Sequence, residues 1–174
     1  MLIVLPWLLL LAALGARAWI SQYHGLMYDE PVTLHLASSV REGQLPYVDF
    51  YEHHTPLPWY ALAPLAPVSV WRLQRLLVAG LGLAGLLGLF GVAREAWGRR
   101  VALLCLLLAA VSPLWNRQGN MVIHDAFLVV GLVAAVATWW QAWRRDKIGW
   151  WLLAGACSGL AVLSKQTGIL PALA

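Results

Sequence analysis

The sequence predicts an all-α polytopic membrane protein, a bundle of about five to six spans whose first loop carries an interfacial helix. Three observations predict it. Of the 174 residues, 61% are hydrophobic and 11% are charged, less than half of the about 25% charge that keeps a soluble domain in water. Mean hydropathy is +0.69, and the apolar residues gather into runs close to the about 20 residues that cross about 30 Å of hydrocarbon. The charges are sorted as well. Residues 21–54 hold one arginine against five acids (Asp29, Glu30, Glu42, Asp49 and Glu52), a local charge of −4, while the other eleven basic and three acidic residues leave +8 elsewhere. Four of the five histidines fall in the same window. Ordinary soluble folds are excluded, and most of the titratable chemistry lies in one short segment.

The first run covers residues 1–20. Ala16-Arg17-Ala18 has the small-x-small form of a cleavage site, but no Lys or Arg precedes the apolar stretch, so an uncleaved first span is expected. Residues 21–70 form a loop. Within it, residues 57–68 are apolar but only about 12 long and interrupted by Pro58, Pro64 and Pro67, which break a spanning helix. Further runs occupy 71–95, 101–117, 121–143 and 148–164, and a sixth starts at 168–174. The third and fifth runs need their polar flanks to reach both interfaces. Cys105 and Cys157 sit inside apolar runs without metal spacing and read as small buried residues. There is no internal repeat or polar linker.

Arg94, Arg99 and Arg100 bracket one tight turn, and Arg144, Arg145 and Lys147 form another amid Trp139, Trp140, Trp143, Trp150 and Trp151. By the positive-inside rule both turns face the cytoplasm. The acidic loop, the turn 116–124 and Lys165 then share the extracytoplasmic side. No charge lies near the middle of a run, whereas transporters and pumps place ionisable groups at the midplane. Polar groups gathered at one membrane face suit chemistry on an amphipathic substrate.

Within the loop, Asp29-Glu30-Pro31 opens a helix that runs to about Glu42, with Gly43 just past its end. Val32, Leu36 and Val40 recur at four-residue spacing, a stripe suited to the membrane surface. Asp29 and Glu30 can serve as helix-capping acids or as functional carboxylates. Glu52, His53 and His54 follow in a Pro- and aromatic-rich stretch. If that stretch is extended, Glu52 and His54 converge while His53 points away. A carboxylate beside imidazoles offers acid/base machinery or a divalent-metal site. No other cofactor follows from the residues.

Taken in order, these motifs resemble a family. The first span, Tyr28-Asp29-Glu30-Pro31, the helix ending in Glu42-Gly43-Gln44-Leu45-Pro46-Tyr47 with Asp49 after it, and His53-His54-Thr55-Pro56-Leu57-Pro58-Trp59-Tyr60 are similar to the N-terminal part of the GT-C polytopic glycosyltransferases. The pattern is that of protein-mannosyltransferase-like (glycosyltransferase family 39) and aminoarabinose-transferase-like members. Arg72 and Arg75, Trp97-Gly98-Arg99-Arg100, His124-Asp125-Ala126 and the small-residue span from Gly155 to Ser164-Lys165 continue it in the same order.

The resemblance implies a GT-C transmembrane helix bundle that moves a sugar from a polyprenyl-phosphate donor to a hydroxyl on a lipid, glycan or protein acceptor, at the extracytoplasmic face of the inner or plasma membrane. It implies that Asp29, with Glu30 beside it, is the general base or acceptor-orienting carboxylate, and that Lys165, Asp125 and Arg72 contact donor phosphate or acceptor. Two departures stand out. The aminoarabinose-transferase pattern has Glu-Lys-Pro where this chain reads Glu52-His53-His54-Thr55-Pro56, so that pattern's lysine is missing. GT-C enzymes also carry roughly twice as many spans, so residues 1–174 are expected to be an N-terminal portion, inactive alone.

Two other classes compete. A non-catalytic membrane subunit or transporter fragment would use the acidic loop for docking. A metal-dependent membrane hydrolase would use Asp29, Glu52 and His54 with water as acceptor. Nucleic acid is not an expected partner, because the basic residues are dispersed at helix ends rather than along a stripe.

Overall fold

The computed structural model describes residues 4, 8, 11–13, 15, 16, 19, 23, 25, 26, 29–113, 115 and 121–172. Expectations placed on the rest of 1–28, Tyr28 among them, and on the turn 116–120 fall outside the described residues. The described elements are helical, with no β-strand among them, and the chain is an all-helical membrane protein.

Helix α1 spans Glu30–Arg41 with Pro31 in its first turn. It ends where the N–H groups of Glu42, Gly43 and Gln44 take the carbonyls of Ser38, Val40 and Ser39. Gly43 sits there at φ +92°, a left-handed conformation that only glycine adopts without a side-chain clash. The buried face is Thr33, Leu34, Ala37 and Ser39. Val32 and Leu36 instead line a cleft. Hydrophobic spacing selects Val32, Leu36 and Val40, but the face packed on the bundle is a neighbouring one that combines Leu34 with small and hydroxyl-bearing residues.

Helix α2 is Leu57–Leu62, with Pro56 and Pro58 at its start, and it passes into 3₁₀ turns at Ala63–Leu65 and Val68–Val70. At 1.5 Å per residue its six residues rise only about 9 Å, so this apolar segment does not cross a bilayer. Helix α3, Trp71–Trp97, is 27 residues long. It turns at Gly98, φ +85°, into α4, Arg99–Val111, which ends at the extended Ser112 before Pro113. Helix α5, His124–Arg145, starts after the extended Ile123 and stops at the left-handed Asp146. Helix α6, Ile148–Ser164, leads into a 3₁₀ segment at Gln166–Ala172.

Two described stretches, Val68–Trp97 and His124–Arg145, are long and apolar enough to cross a membrane; Ile148–Ser164 is apolar but shorter. Helix α3 packs on α4 and α5, and α5 on α6. Helices α5 and α6 approach closely at Gly131, where a Cβ would lie 2.9 Å from the Ala161 Cα; small residues let apolar helices meet at this distance. Hydroxyls inside α6 are satisfied locally, Ser158 and Ser164 donating to the Ala154 and Leu160 carbonyls at 2.8 Å each. A core of Leu34, Ala37, Leu62, Val78, Val122, Ala126 and Phe127 joins α1, α2, α3 and α5. It fixes the loop helices onto the bundle at the end where α5 begins and α6 finishes.

Candidate active site

At that end lies a cleft of about 290 Å³ whose lining includes Asp29, Glu52, His53, His54, Asp125 and Lys165. The loop reaches it by local bracing. The Asp49 carboxylate accepts the Leu45 N–H at 2.7 Å, and the Tyr47 hydroxyl donates to the His54 carbonyl at 2.6 Å. Trp59, fully buried, has the rings of Phe50 and Tyr47 on it at 5.8 and 6.2 Å. The Gln166 side-chain amide donates to the His53 carbonyl, tying the loop to the chain beyond α6.

The two adjacent carboxylates part company. Glu30 is fully buried and Arg75 nearly so. Glu30 Oε1 accepts from Arg75 Nε at 2.8 Å and from the Val122 N–H at 2.9 Å, and Oε2 from Arg75 Nη2 at 2.5 Å. Arg75 also donates to the Gly25 carbonyl at 2.7 Å. This bidentate, charge-assisted arrangement holds α1 against α3 and the start of α5. Asp29, by contrast, is exposed in the cleft, and although it stands at the N-terminal cap its carboxylate makes no capping hydrogen bond.

Lys165 Nζ donates to Asp125 Oδ1 at 2.7 Å, with both side chains about 30% exposed. Forty residues separate them in the chain, and the antiparallel pairing of α5 and α6 brings them together. Arg72 does not join this group. It is exposed, over the Trp71 ring at 5.2 Å, and the arginine that turns inward is Arg75.

Glu52 Oε1 accepts the His53 backbone N–H at 2.8 Å and stands 3.0 Å from His54 Nδ1. His53 Nδ1 also contacts Glu52 Oε1. The convergence of Glu52 and His54 is as expected from an extended stretch, but His53 does not point away. Residues 53 and 54 bend, which breaks the alternation and brings the two imidazoles to a ring separation of 3.8 Å. Partial burial raises the Glu52 carboxyl, but the His53 amide and the two imidazoles outweigh it and hold the group below its ordinary value.

Sequence reasoning missed His124 and Trp59 as site residues. His124 is 5% exposed, stacks on His54 at 4.4 Å and meets the Trp59 edge at 5.6 Å. The signal was slight: a fifth histidine, remote from the other four, opening an apolar helix.

A family model described as dolichyl-phosphate-mannose-protein mannosyltransferase matches residues 53–174, well over half of the chain. The matched stretch contains His53, His54, Arg72, Asp125 and Lys165, while Asp29, Glu30 and Glu52 precede it. No curated protein and no solved structure matches the chain.

Proposed function

The chain belongs to the dolichyl-phosphate-mannose-protein mannosyltransferase family of GT-C glycosyltransferases, and from that premise we propose that it moves a sugar from a polyprenyl-phosphate donor to a hydroxyl acceptor in the cleft beside Asp29. The observation that carries this reading is the company of Asp29: a carboxylate uncommitted to its own helix, in one cleft with the Lys165–Asp125 pair. The acceptor oxygen attacks the anomeric carbon, the bond from that carbon to the phosphate oxygen breaks, and the hydroxyl proton passes to Asp29. Removing that proton in the transition state is typically worth 10² to 10⁴ in rate. Lys165 meets the negative charge that develops on the departing phosphate, and Asp125 holds the ammonium in place until it does. The acceptor is a lipid, glycan or protein hydroxyl.

The topology proposed is multi-pass, with the cleft extracytoplasmic. Support comes from chain direction. The Arg99-Arg100 turn and the Arg144-Arg145 turn lie at the helix ends away from the cleft, where the positive-inside rule locates the cytoplasm.

The test is Asp29→Asn in the full-length protein, with transfer measured from a radiolabelled polyprenyl-phosphate sugar in membranes. We expect a loss of about 10² to 10⁴ at unchanged membrane abundance. Transfer at the wild-type rate sinks the assignment.

A further inference from the structure

We propose that the end of the bundle opposite the cleft binds an anionic phospholipid, with an acyl chain in a tryptophan-walled groove and the head-group phosphate on the basic residues at its rim. The groove, about 740 Å³, lies between the end of α3, the last turns of α5 and the start of α6. Small residues, Ala96 and Ala135, open it, and Trp97, Trp139, Trp143 and Trp151 wall it. None of the described lining residues is charged or carries a hydroxyl. Trp97 and Trp143 are 69% and 75% exposed, far from the burial usual for so large a ring. The walls are nonetheless set. Trp139 Nε1 donates to Ser158 Oγ at 3.3 Å, Trp151 meets the Trp139 ring edge-on at 5.9 Å, and Trp140 and Trp143 pair at 6.2 Å. A groove formed in advance loses little freedom when a chain enters it.

The rim selects the occupant. Residues 94–100 and 144–147 hold six basic side chains against Glu95 and Asp146, a net charge of +4. Glu95 is already engaged, by the Gln141 amide at 2.5 Å and by Arg144 at 3.5 Å, while Arg94, Arg100, Arg145 and Lys147 are exposed. An apolar helix would fill the groove but bring no anion to this rim, and a soluble anion would leave the groove empty. A phospholipid with a negatively charged head group meets both, and basic pockets between spans at the cytoplasmic face recognise such lipids. The rim also puts the phosphate at the depth where tryptophans and cations settle, between hydrocarbon and water. Only the choice of the cytoplasmic leaflet rests on the proposed topology; the site itself is independent of sugar transfer.

The test uses full-length protein purified in detergent, freed of bound lipid and titrated with phosphatidylglycerol or with phosphatidylcholine of the same chains, the adducts being counted by native mass spectrometry. The first phosphatidylglycerol is expected to bind about 10-fold more tightly than phosphatidylcholine. Arg100→Gln combined with Arg144→Gln should reduce that preference by about 5-fold for each charge removed. Trp143→Ala, an exposed truncation, should weaken both lipids, whereas Arg41→Gln, which removes an exposed charge from α1, should alter neither. Equal affinity for the two lipids, or a preference that the double arginine variant keeps in full, overturns the proposal. Brominated phosphatidylglycerol should also quench the tryptophan fluorescence of the wild type more than that of Trp143→Ala. Equal quenching would mean that another segment of the protein covers the groove, and would overturn the proposal as well. Transfer activity separates this site from the proposed function: transfer by a protein without the lipid preference ends the lipid site alone, and the preference without transfer upholds it while counting against the transferase reading.

Discussion

Helix α5 begins in the polar cleft and ends beside a groove of about 740 Å³ lined by Trp97, Trp139, Trp140, Trp143 and Trp151, and charged residues are used differently at its two ends. At the cleft Glu30 is buried against Arg75 and the Val122 amide, and Lys165 meets Asp125 at 2.7 Å with both side chains about 30% exposed. At the tryptophan end, Arg144 meets Glu95 at 3.5 Å with both side chains about half exposed, and Arg145 lies over Trp150 at 5.1 Å. The cleft charges specify a geometry. Those at the other end are exposed and lie beside tryptophans, as cations near an interface do.

The contrast can be broken at graded cost. Arg75→Met leaves Glu30 buried without its cation, and losing one partner of a buried pair costs about 3–5 kcal/mol. The variant should unfold well below the wild type in detergent; an unchanged melting temperature would mean that Glu30 is not held as described. A smaller loss is expected from Gly131→Ala, between the two ends. Its new methyl meets the Ala161 backbone, and overpacking of this kind costs about 1–3 kcal/mol. Protease resistance of the α5–α6 pair is the readout, and equal resistance would refute the close approach. Least of all, Arg144→Ala should change stability by no more than about 1 kcal/mol, as exposed ion pairs do. A loss comparable to that of Arg75→Met would show that the tryptophan end is also built on specific pairing.

The site was partly legible before the fold was seen. Asp29, Glu52, His54, Asp125 and Lys165 were singled out from residue type, order and family pattern, and the cleft brings them together. Asp29 and Glu30 could not be told apart, because neighbours in sequence share composition, charge and motif. Their roles divide only because the start of α1 directs one carboxylate at Arg75 and the other at the cleft. Arg72 and Arg75 were likewise equivalent on paper, and the rotation of α3 in its packing decided which of them turns inward. His53 was misplaced because alternation assumes an extended chain, and this one bends.

What the sequence by itself determined is the solvent and the sorting. Its apolar runs demand a membrane and helices, because an unsatisfied backbone in hydrocarbon is prohibitive, and its segregated charges set one face apart from the other. Those are properties of composition and local period, available to any window of residues. The identity of Glu30's partner, the meeting of Asp125 with Lys165 and the burial of His124 on His54 were decided by tertiary structure alone. Each depends on how helices distant in the chain are rotated and packed, and no local pattern encodes that rotation.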